Sequence, residues 1–176
     1  MSGHNKWAQI KHKKAKTDAE KSKAFGKFAR LIAMESRRAK GNADDPGLKT
    51  VIERARTVNM PNDSIARAIK KGAGGEGEQL ETIHYETYGP GGVAVIIEMI
   101  TDNRNKAAQE VKHILHELGF SLAAPGSALW AFEKQATGLR PTTTIPLSDD
   151  DLKKLDELVT KLESCDEVQE VFTNAE

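Results

Sequence analysis

The charge of this 176-residue sequence changes sign at a glycine-rich segment, "GAGGEGEQ" at residues 72–79. Residues 1–72 contain 18 Lys and Arg against 7 Asp and Glu, a net charge of +11. Residues 73–176 contain 8 against 19, a net charge of −11. A linker composition at the point where the charge inverts indicates two folding units. We therefore predict a basic domain at 1–72, a linker at 73–80 and an acidic domain at 81–176.

Several classes of protein are excluded by simple features. The glycine-rich segment follows a predicted helix rather than a strand, so it lacks the context of a phosphate-binding loop. The longest apolar run, Val93 to Ile97, is too short to cross a bilayer, and the N-terminus lacks the apolar stretch of a secretory signal. The lone cysteine, Cys165, excludes an internal disulfide and a thiolate metal cluster. We expect a soluble, cytoplasmic protein.

No pairing of a nucleophile with a base is evident for catalysis. Asp149 to Asp151 follow Ser148 at the start of a predicted helix, where capping and the helix dipole account for them. His113 and His116 could share a helix face, but no third ligand is evident. We therefore predict that the protein is not an enzyme and has no catalytic residues, metal, cofactor or small-molecule substrate.

The basic half is predicted to form a three-helix module. Helical periodicity begins at Lys21 and places apolar residues such as Phe28 and Ile32 on one face. A second helix is predicted from about Pro46 to Asn59. The third, "SIARAIKKGAG", follows Asn62 or Asp63 as a cap and ends in a basic pair.

The acidic half alternates strand-like and helical patterns. After the strand-like "TIHYETY" and the turn "GPGG", we predict a buried strand "VAVIIEMIT", a helix over 103–118, strands at "GSALWAFEK" and "TTTIPL", a helix over 148–163 and a last strand "EVQEVFTN". From Val93 the order is β-α-β-β-α-β. The predicted fold class is therefore α+β, with a three-helix module followed by a ferredoxin-like domain.

The N-terminal segment is rich in lysine around a single tryptophan. Between Lys6 and Lys27 there are eight lysines and two acids. Lysines bind phosphate as point charges, so they favour nucleic acid without reading its sequence. Trp7 could stack on a base, or it could attach the tail to the helical module together with Ile10.

The candidate nucleic-acid-binding residues share a positive charge or a ring suited to stacking. They are Lys6, Trp7, Lys11, His12, Lys13, Lys14, Lys16, Lys21, Lys23, Lys27, Arg30, Arg37, Arg38, Lys70 and Lys71.

Several stretches resemble the signature blocks of the YebC family. They are "SGHNKWAQIKHKKAKTDAEKSKAF", "NMPNDSIARAIKKGAG" and "YGPGGVAVIIEMITDNRNKAAQEVKHILHELG", followed by "PGSALWAFEK" and "DEVQEVFTNAE". The resemblance covers nearly the whole chain in the right order. It departs from the family near residues 135–141, where typical members carry a further α+β domain. The chain is thus similar to a short form lacking that third domain.

The resemblance implies a non-enzymatic regulator of gene expression. The family includes probable DNA-binding transcriptional regulators and the mitochondrial translational activator of cytochrome oxidase, which acts at the ribosome. The resemblance implies a role in binding only for the basic stretches of the sequence. A DNA-bound transcriptional regulator is the first hypothesis, and a translation factor bound to the ribosome or its RNA is the second. A protein-interaction adaptor is a third. No membrane partner is expected.

Replacing Lys11, Lys13 and Lys14 together with Ala is predicted to weaken binding to all nucleic-acid sequences alike. Removing phosphate-neutralising charges also flattens the dependence of affinity on salt, because fewer counterions are released. Filter binding at several salt concentrations measures both effects. Unchanged affinity would count against this segment as a contact.

Overall fold

The computed structural model describes residues 6–13, 18–75, 79–136 and 138–176. The chain divides into two compact units. The helical unit comprises Lys16–Thr82 with Ile100–Asp102, and the α+β unit comprises Met1–Ala15, Ile83–Met99 and Asn103–Glu176. Residues 6–13, which we expected beside the three helices, are therefore grouped with the α+β unit. No helix in the described residues is long and apolar enough to cross a membrane.

The helical unit contains three helices, which are α2 (Asp18–Arg38), α3 (Pro46–Thr57) and α4 (Asn62–Ala73). The side chain of Asp45 caps α3 by accepting the N–H of Leu48 at 3.0 Å, as the first-turn proline leads one to expect. The predicted cap of α4 is wrong. Pro61 occupies that position without a side-chain hydrogen bond, so Asn62 and Asp63 lie inside the helix.

The core of the helical unit comes from the apolar faces of these helices, and its central residues are Ile32, Leu48, Val51, Ala55, Met60, Ile65 and Ala68. The closest approach lies between α2 and α4. A Cβ atom at Gly72 would meet the carbonyl oxygen of Ala33 at 2.2 Å and Ser36 Cβ at 2.8 Å. The buried Ser36 hydroxyl donates a hydrogen bond to the Ile69 carbonyl at 2.7 Å. Only glycine at position 72 permits this packing.

The α+β unit contains α1 (Lys6–Lys13), α5 (Arg104–Glu117) and α6 (Asp149–Glu163). Its main sheet has the order β3-β1-β2-β6, formed by β1 (Glu81–Tyr88), β2 (Ala94–Thr101), β3 (Leu122–Ala123) and β6 (Val168–Thr173). β6 pairs antiparallel with β2, and β3 pairs antiparallel with β1. A separate antiparallel pair consists of β4 (Phe132–Gln135) and β5 (Gly138–Pro141).

Both faces of β2 are buried. Val95, Ile97 and Met99 belong to a cluster with residues of α5 and α6, whereas Ala94 and Ile96 belong to a second cluster with residues 128–132. Asn103 caps α5 by accepting the Lys106 N–H at 3.0 Å, and Ser148 caps α6 by accepting the Asp151 N–H at 3.1 Å. Capping thus accounts for the polar residues at both helix starts.

The α+β class, with a helical N-terminal part and a sheet domain, is confirmed. The ferredoxin-like assignment of two strands is wrong. "GSALWAFEK" forms a turn, a 3₁₀ turn at Leu129–Ala131 and then β4, which lies outside the main sheet. "TTTIPL" contains no strand, only an isolated bridge between Ile145 and Ala175. β1 and β3 occupy the remaining places in the sheet.

The physical reasons lie in the local sequence. Ala128, Ala131 and Phe132 are buried together, at a spacing that suits one helical turn rather than an alternating strand. In the other segment, Pro146 has no N–H to donate to a strand ladder.

Two helix-interior glycines provide a matched test of the packing of α2 on α4. Gly72→Ala is expected to destabilise the protein by about 1–3 kcal/mol or more, because the added methyl group overlaps α2. Gly26→Ala, in α2, meets nothing within 4 Å and is expected to stabilise it by up to about 1 kcal/mol. Urea unfolding of the full chain measures both changes. Equal stability of the two variants would contradict the close approach.

Candidate nucleic-acid interface

The N-terminal basic residues lie on α1 and in the segment that follows it. Lys6 is exposed and forms an ion pair with Asp149 at 3.5 Å. Lys11, His12 and Lys13 lie in α1, but their side chains are outside the described part of the structure. Lys14 and Lys16 are outside the described residues. Contact of these five residues with nucleic acid therefore stays a prediction.

Trp7 is buried, with 6 % of its surface exposed, and it belongs to the main core cluster of the α+β unit. Ile10 packs against the same cluster. A base cannot stack on a ring in this environment, so the predicted stacking platform is not present at Trp7 in this structure. The alternative interpretation placed the ring on the helical module, and this assignment is wrong as well. Trp7 anchors α1 to the α+β unit.

Because α1 belongs to the α+β unit, the net charges of the two folded units differ from those of the two halves of the sequence. The helical unit contains 14 Lys and Arg against 11 Asp and Glu, a net charge of +3. The α+β unit contains 12 against 15, a net charge of −3. The two units are thus much closer to neutral than the two halves of the sequence. Any affinity for phosphate must therefore depend on local clusters of basic side chains.

The basic residues of α2 differ in their surroundings. Lys21 is exposed and lies 3.9 Å from Asp18, one turn earlier. Lys23 and Arg37 are exposed, whereas Lys27 and Arg30 are partly buried. The exposed residues at the two ends of α2 are therefore the more accessible to a large ligand.

Arg38 is held by two carboxylates. Its guanidinium donates to Glu35 Oε2 at 2.8 Å and to Asp45 Oδ1. The hydrogen bond to Glu35, followed by that to Asp45, raises the pKa of Arg38. The pKa of Asp45 is lowered, mainly by the hydrogen bond from the N–H of Leu48 and to a smaller extent by Arg38. Arg38 thus links the end of α2 to the start of α3, and two of the five N–H donors of its guanidinium are engaged there.

The C-terminal ends of α2 and α4 meet and bring basic residues together. Gly41 follows α2 and lies beside Ala73, since a Cβ atom at position 41 would be 2.9 Å from that of Ala73. Arg37 and Lys71 line the same small pocket of about 30 Å³. Lys70 is exposed on the neighbouring position of α4. We call Arg37, Lys70 and Lys71 the basic corner.

The basic corner has a structural role besides any binding role. Arg37 lies in the last turn of α2, and Lys70 and Lys71 lie in the last turn of α4. Cations there interact favourably with the negative ends of the helix dipoles. Two helix ends that meet would otherwise bring partial negative charges together, so these basic residues also favour the packing of the two ends.

Three basic residues that the prediction did not include lie elsewhere on the helical unit. Lys49 pairs with Asp44 at 3.0 Å, and Arg67 donates to the Ser64 hydroxyl at 3.2 Å. The guanidinium of Arg54 lies 5.9 Å from the centre of the Phe28 ring. The helical spacing of positions 63, 67 and 70 on α4 could have identified Arg67 as a neighbour of Lys70.

Both units match models of one protein family. Residues 5–75 match the TACO1/YebC protein N-terminal domain. The TACO1/YebC second and third domain matches in two segments, residues 80–139 and 134–175.

Curated relatives carry the name "Probable transcriptional regulatory protein". One from Fervidobacterium nodosum is 54 % identical over 137 residues, which cover 77 % of this chain and 54 % of the relative. One from Thermotoga maritima is 47 % identical over 161 residues, which cover 90 % and 61 %. The chain therefore spans little more than half the length of these relatives.

A solved structure has a similar fold. The crystal structure of a conserved hypothetical protein from Aquifex aeolicus superposes with a TM-score of 0.84 and 33 % sequence identity. The match covers 97 % of this chain and 96 % of the other.

Trp7→Ala is expected to lower the melting temperature, because it removes a buried ring from the core of the α+β unit. The expected loss in unfolding free energy is about 3–5 kcal/mol. Trp130→Ala is a matched control, since the Trp130 residue is 63 % exposed and its replacement, which removes one exposed hydrogen bond to Tyr88, should cost about 1 kcal/mol or less. Thermal unfolding followed by circular dichroism distinguishes the two. Equal melting temperatures would show that Trp7 is not a core residue.

Proposed function

Because the chain belongs to the TACO1/YebC family, we propose that it is a nucleic-acid-binding regulator of gene expression that contacts the phosphate backbone through clusters of basic side chains. The observation that carries the proposal is the juxtaposition of Arg37 and Lys71 at one pocket, with Lys70 exposed next to it. Arg and Lys without a base-reading partner bind phosphate rather than sequence. We propose no catalytic activity, in keeping with the regulatory name of the relatives.

Duplex DNA is the first proposed target. The relatives are named as probable transcriptional regulatory proteins, and α3 and α4 are joined by a short turn at residues 58–61. Two helices joined in this way are the arrangement of a helix-turn-helix, whose second helix contacts the duplex. In that case α4 would lie against the DNA and the basic corner against its phosphates.

Structured RNA, including that of the ribosome, is the second proposed target. The observation that favours it is that α4 offers few side chains able to recognise bases in a DNA groove. Its exposed face carries Ala66 between Asp63 and Arg67, and the Arg67 guanidinium bonds to Ser64. Sequence recognition in a DNA groove needs several free polar side chains on one helix. Recognition by backbone shape, which is typical of double-stranded RNA, does not need them.

The proposal also concerns the third domain of the family, which we predict to be absent from this chain. Its predicted position, near residues 135–141, includes the end of β4, the connection at 136–137 and β5, and residue 137 is outside the described part. A hairpin turn tolerates insertion or loss at little cost to the rest of the fold. We propose that the remaining units suffice for nucleic-acid binding.

The test is the salt dependence of binding to a mixed-sequence DNA duplex and to a ribosomal RNA fragment. Changing both Arg37 and Lys71 to Ala should reduce the slope of log affinity against log salt by about 2 on DNA, because two phosphate contacts are lost. Affinity for all sequences should fall alike, since neither side chain reads a base.

A control variant changes Lys153 and Lys154 to Ala, which removes the same charge from exposed positions on α6. It should leave the slope nearly unchanged. An equal loss in the control would mean that overall charge, and not the basic corner, determines binding. Affinity that does not depend on salt would contradict phosphate binding and favour the protein-interaction adaptor.

A further inference from the structure

Tyr88, Leu129 and Trp130 are the large hydrophobic residues that are exposed in the described part of the chain, at 39, 41 and 63 %. We call these three residues the aromatic platform. Leu129 and Trp130 lie in the 3₁₀ turn, and Tyr88 is the last residue of β1. Apolar side chains exposed next to one another commonly mark a binding site.

The two rings are joined by hydrogen bonds. Trp130 Nε1 donates to Tyr88 Oη at 3.0 Å, and the Tyr88 hydroxyl in turn donates to the Ser127 carbonyl. The polar edge of the indole is therefore satisfied within the chain, and what remains accessible on Trp130 is apolar ring surface. The bonds also restrict the rotamers of both side chains, which lowers the entropy lost on binding.

A buried carboxylate holds the loop that carries the platform. Glu86 is 6 % exposed, and its two oxygens accept the N–H groups of Gly126 at 2.6 Å, Ala128 at 2.7 Å and Leu129 at 2.8 Å. Hydrogen bonds to a charged acceptor are stronger than those between neutral groups. One side chain of β1 thus holds the backbone of the loop through three hydrogen bonds.

Two alanines and one phenylalanine of the loop point into the core. Ala128, Ala131 and Phe132 pack with Ala94 and Ile96 of β2. Because these positions face inward on the 3₁₀ turn, Leu129 and Trp130 face outward. The exposure of the platform therefore follows from the packing of its own loop and is not the result of a poorly ordered segment.

Two residues of the platform, Leu129 and Trp130, lie in a stretch of the acidic half that has no net negative charge. Residues 118–146 contain Lys134 and Arg140 against Glu133, a net charge of +1. Residues 73–117 and 147–176, on either side in the sequence, have net charges of −5 and −7. Glu133 and Arg140 are direct cross-strand partners on β4 and β5. The stretch that contains Leu129 and Trp130 therefore has no net negative charge of its own to repel a polyanion.

We propose that the aromatic platform stacks an unpaired base of a nucleic acid. The inference rests on the proposed function, to which it adds single-stranded or looped nucleic acid as a ligand of the α+β unit. An exposed indole is a stacking surface for any base, and the hairpin that follows Trp130 in the chain carries two cations, Lys134 on β4 and Arg140 on β5. With its N–H already bonded, Trp130 cannot donate that hydrogen to a base edge, so stacking should tolerate any sequence.

A protein partner fits the platform less well. A stable protein contact buries about 800 Å² on each partner, whereas the platform has three apolar side chains bordered by the polar residues of β4. A single base needs only one ring face. The exposed ring of Trp130 is therefore large enough for one stacked base, although the platform is too small for a stable protein contact.

The experiment compares two oligonucleotides of equal phosphate count with the full chain, a single-stranded oligothymidylate and its fully abasic counterpart. We expect the base-bearing strand to bind between about fivefold and a hundredfold more tightly, the range typical of one stacked base. Trp130→Ala should abolish this difference without changing affinity for the abasic strand. Trp130→Phe should retain part of it, and Gln135→Ala, an exposed change on the same hairpin, should retain all of it.

Fluorescence provides a second readout. In a Trp7→Phe variant, Trp130 is the sole tryptophan, and stacking of a base should quench its emission. Equal affinity for both strands with unchanged Trp130 emission would overturn the inference and leave the proposed function standing.

Two other outcomes separate the remaining explanations. Absence of binding to oligonucleotide, duplex and ribosomal RNA alike would overturn the proposed function and, with it, the inference. Self-association in sedimentation experiments without nucleic acid that depends on Trp130 would show that the platform contacts protein, which also overturns it.

Discussion

Burial of β2 on both faces is the constraint on which the α+β unit depends. A strand with apolar residues at successive positions must be covered from two sides. Helices α5 and α6 cover Val95 and Ile97 on one side, where Trp7 joins the same cluster. The loop before β4 covers Ala94 and Ile96 on the other. The position of α1 and the outward direction of Trp130 are both consequences of this requirement, although the two tryptophans lie far apart in sequence.

The proposed binding surfaces depend on packing in different ways. The basic corner exists because Gly72 lets α4 approach α2 until their C-terminal ends meet. The aromatic platform exists because Glu86 and three small or aromatic side chains hold one loop against the sheet. The backbone beneath each surface is therefore held by its own local contacts. Rigidity matters for both, because contacts with phosphate or with a base are individually weak and lose their advantage if binding must also order the protein.

Much of the fold could be predicted from patterns that extend over several turns. The helices begin and end near the expected residues, since caps such as Asp45 and Ser148 act locally. The segments "GSALWAFEK" and "TTTIPL" do not form the predicted strands, because the buried residues of the first follow the spacing of a helical turn and Pro146 in the second has no N–H for a strand ladder. The place of Trp7 could not be predicted, since a lysine-rich segment with one ring does not specify which core the ring enters. The role of Glu86 was also hidden, because an acidic residue on a strand is usually exposed.

The redistribution of charge on folding bears on how the molecule can bind a polyanion. The sequence separates +11 from −11, but the folded units carry +3 and −3, because α1 takes its lysines to the α+β unit. A long-range field between two oppositely charged domains is therefore a weak basis for orientation at physiological salt, where screening acts over roughly 8 Å. Local clusters are effective within that distance. In the proposed function the basic corner is one such cluster, and its three cations all lie in the helical unit. Binding there would depend on the spacing of these cations and not on the net charge of the unit that carries them.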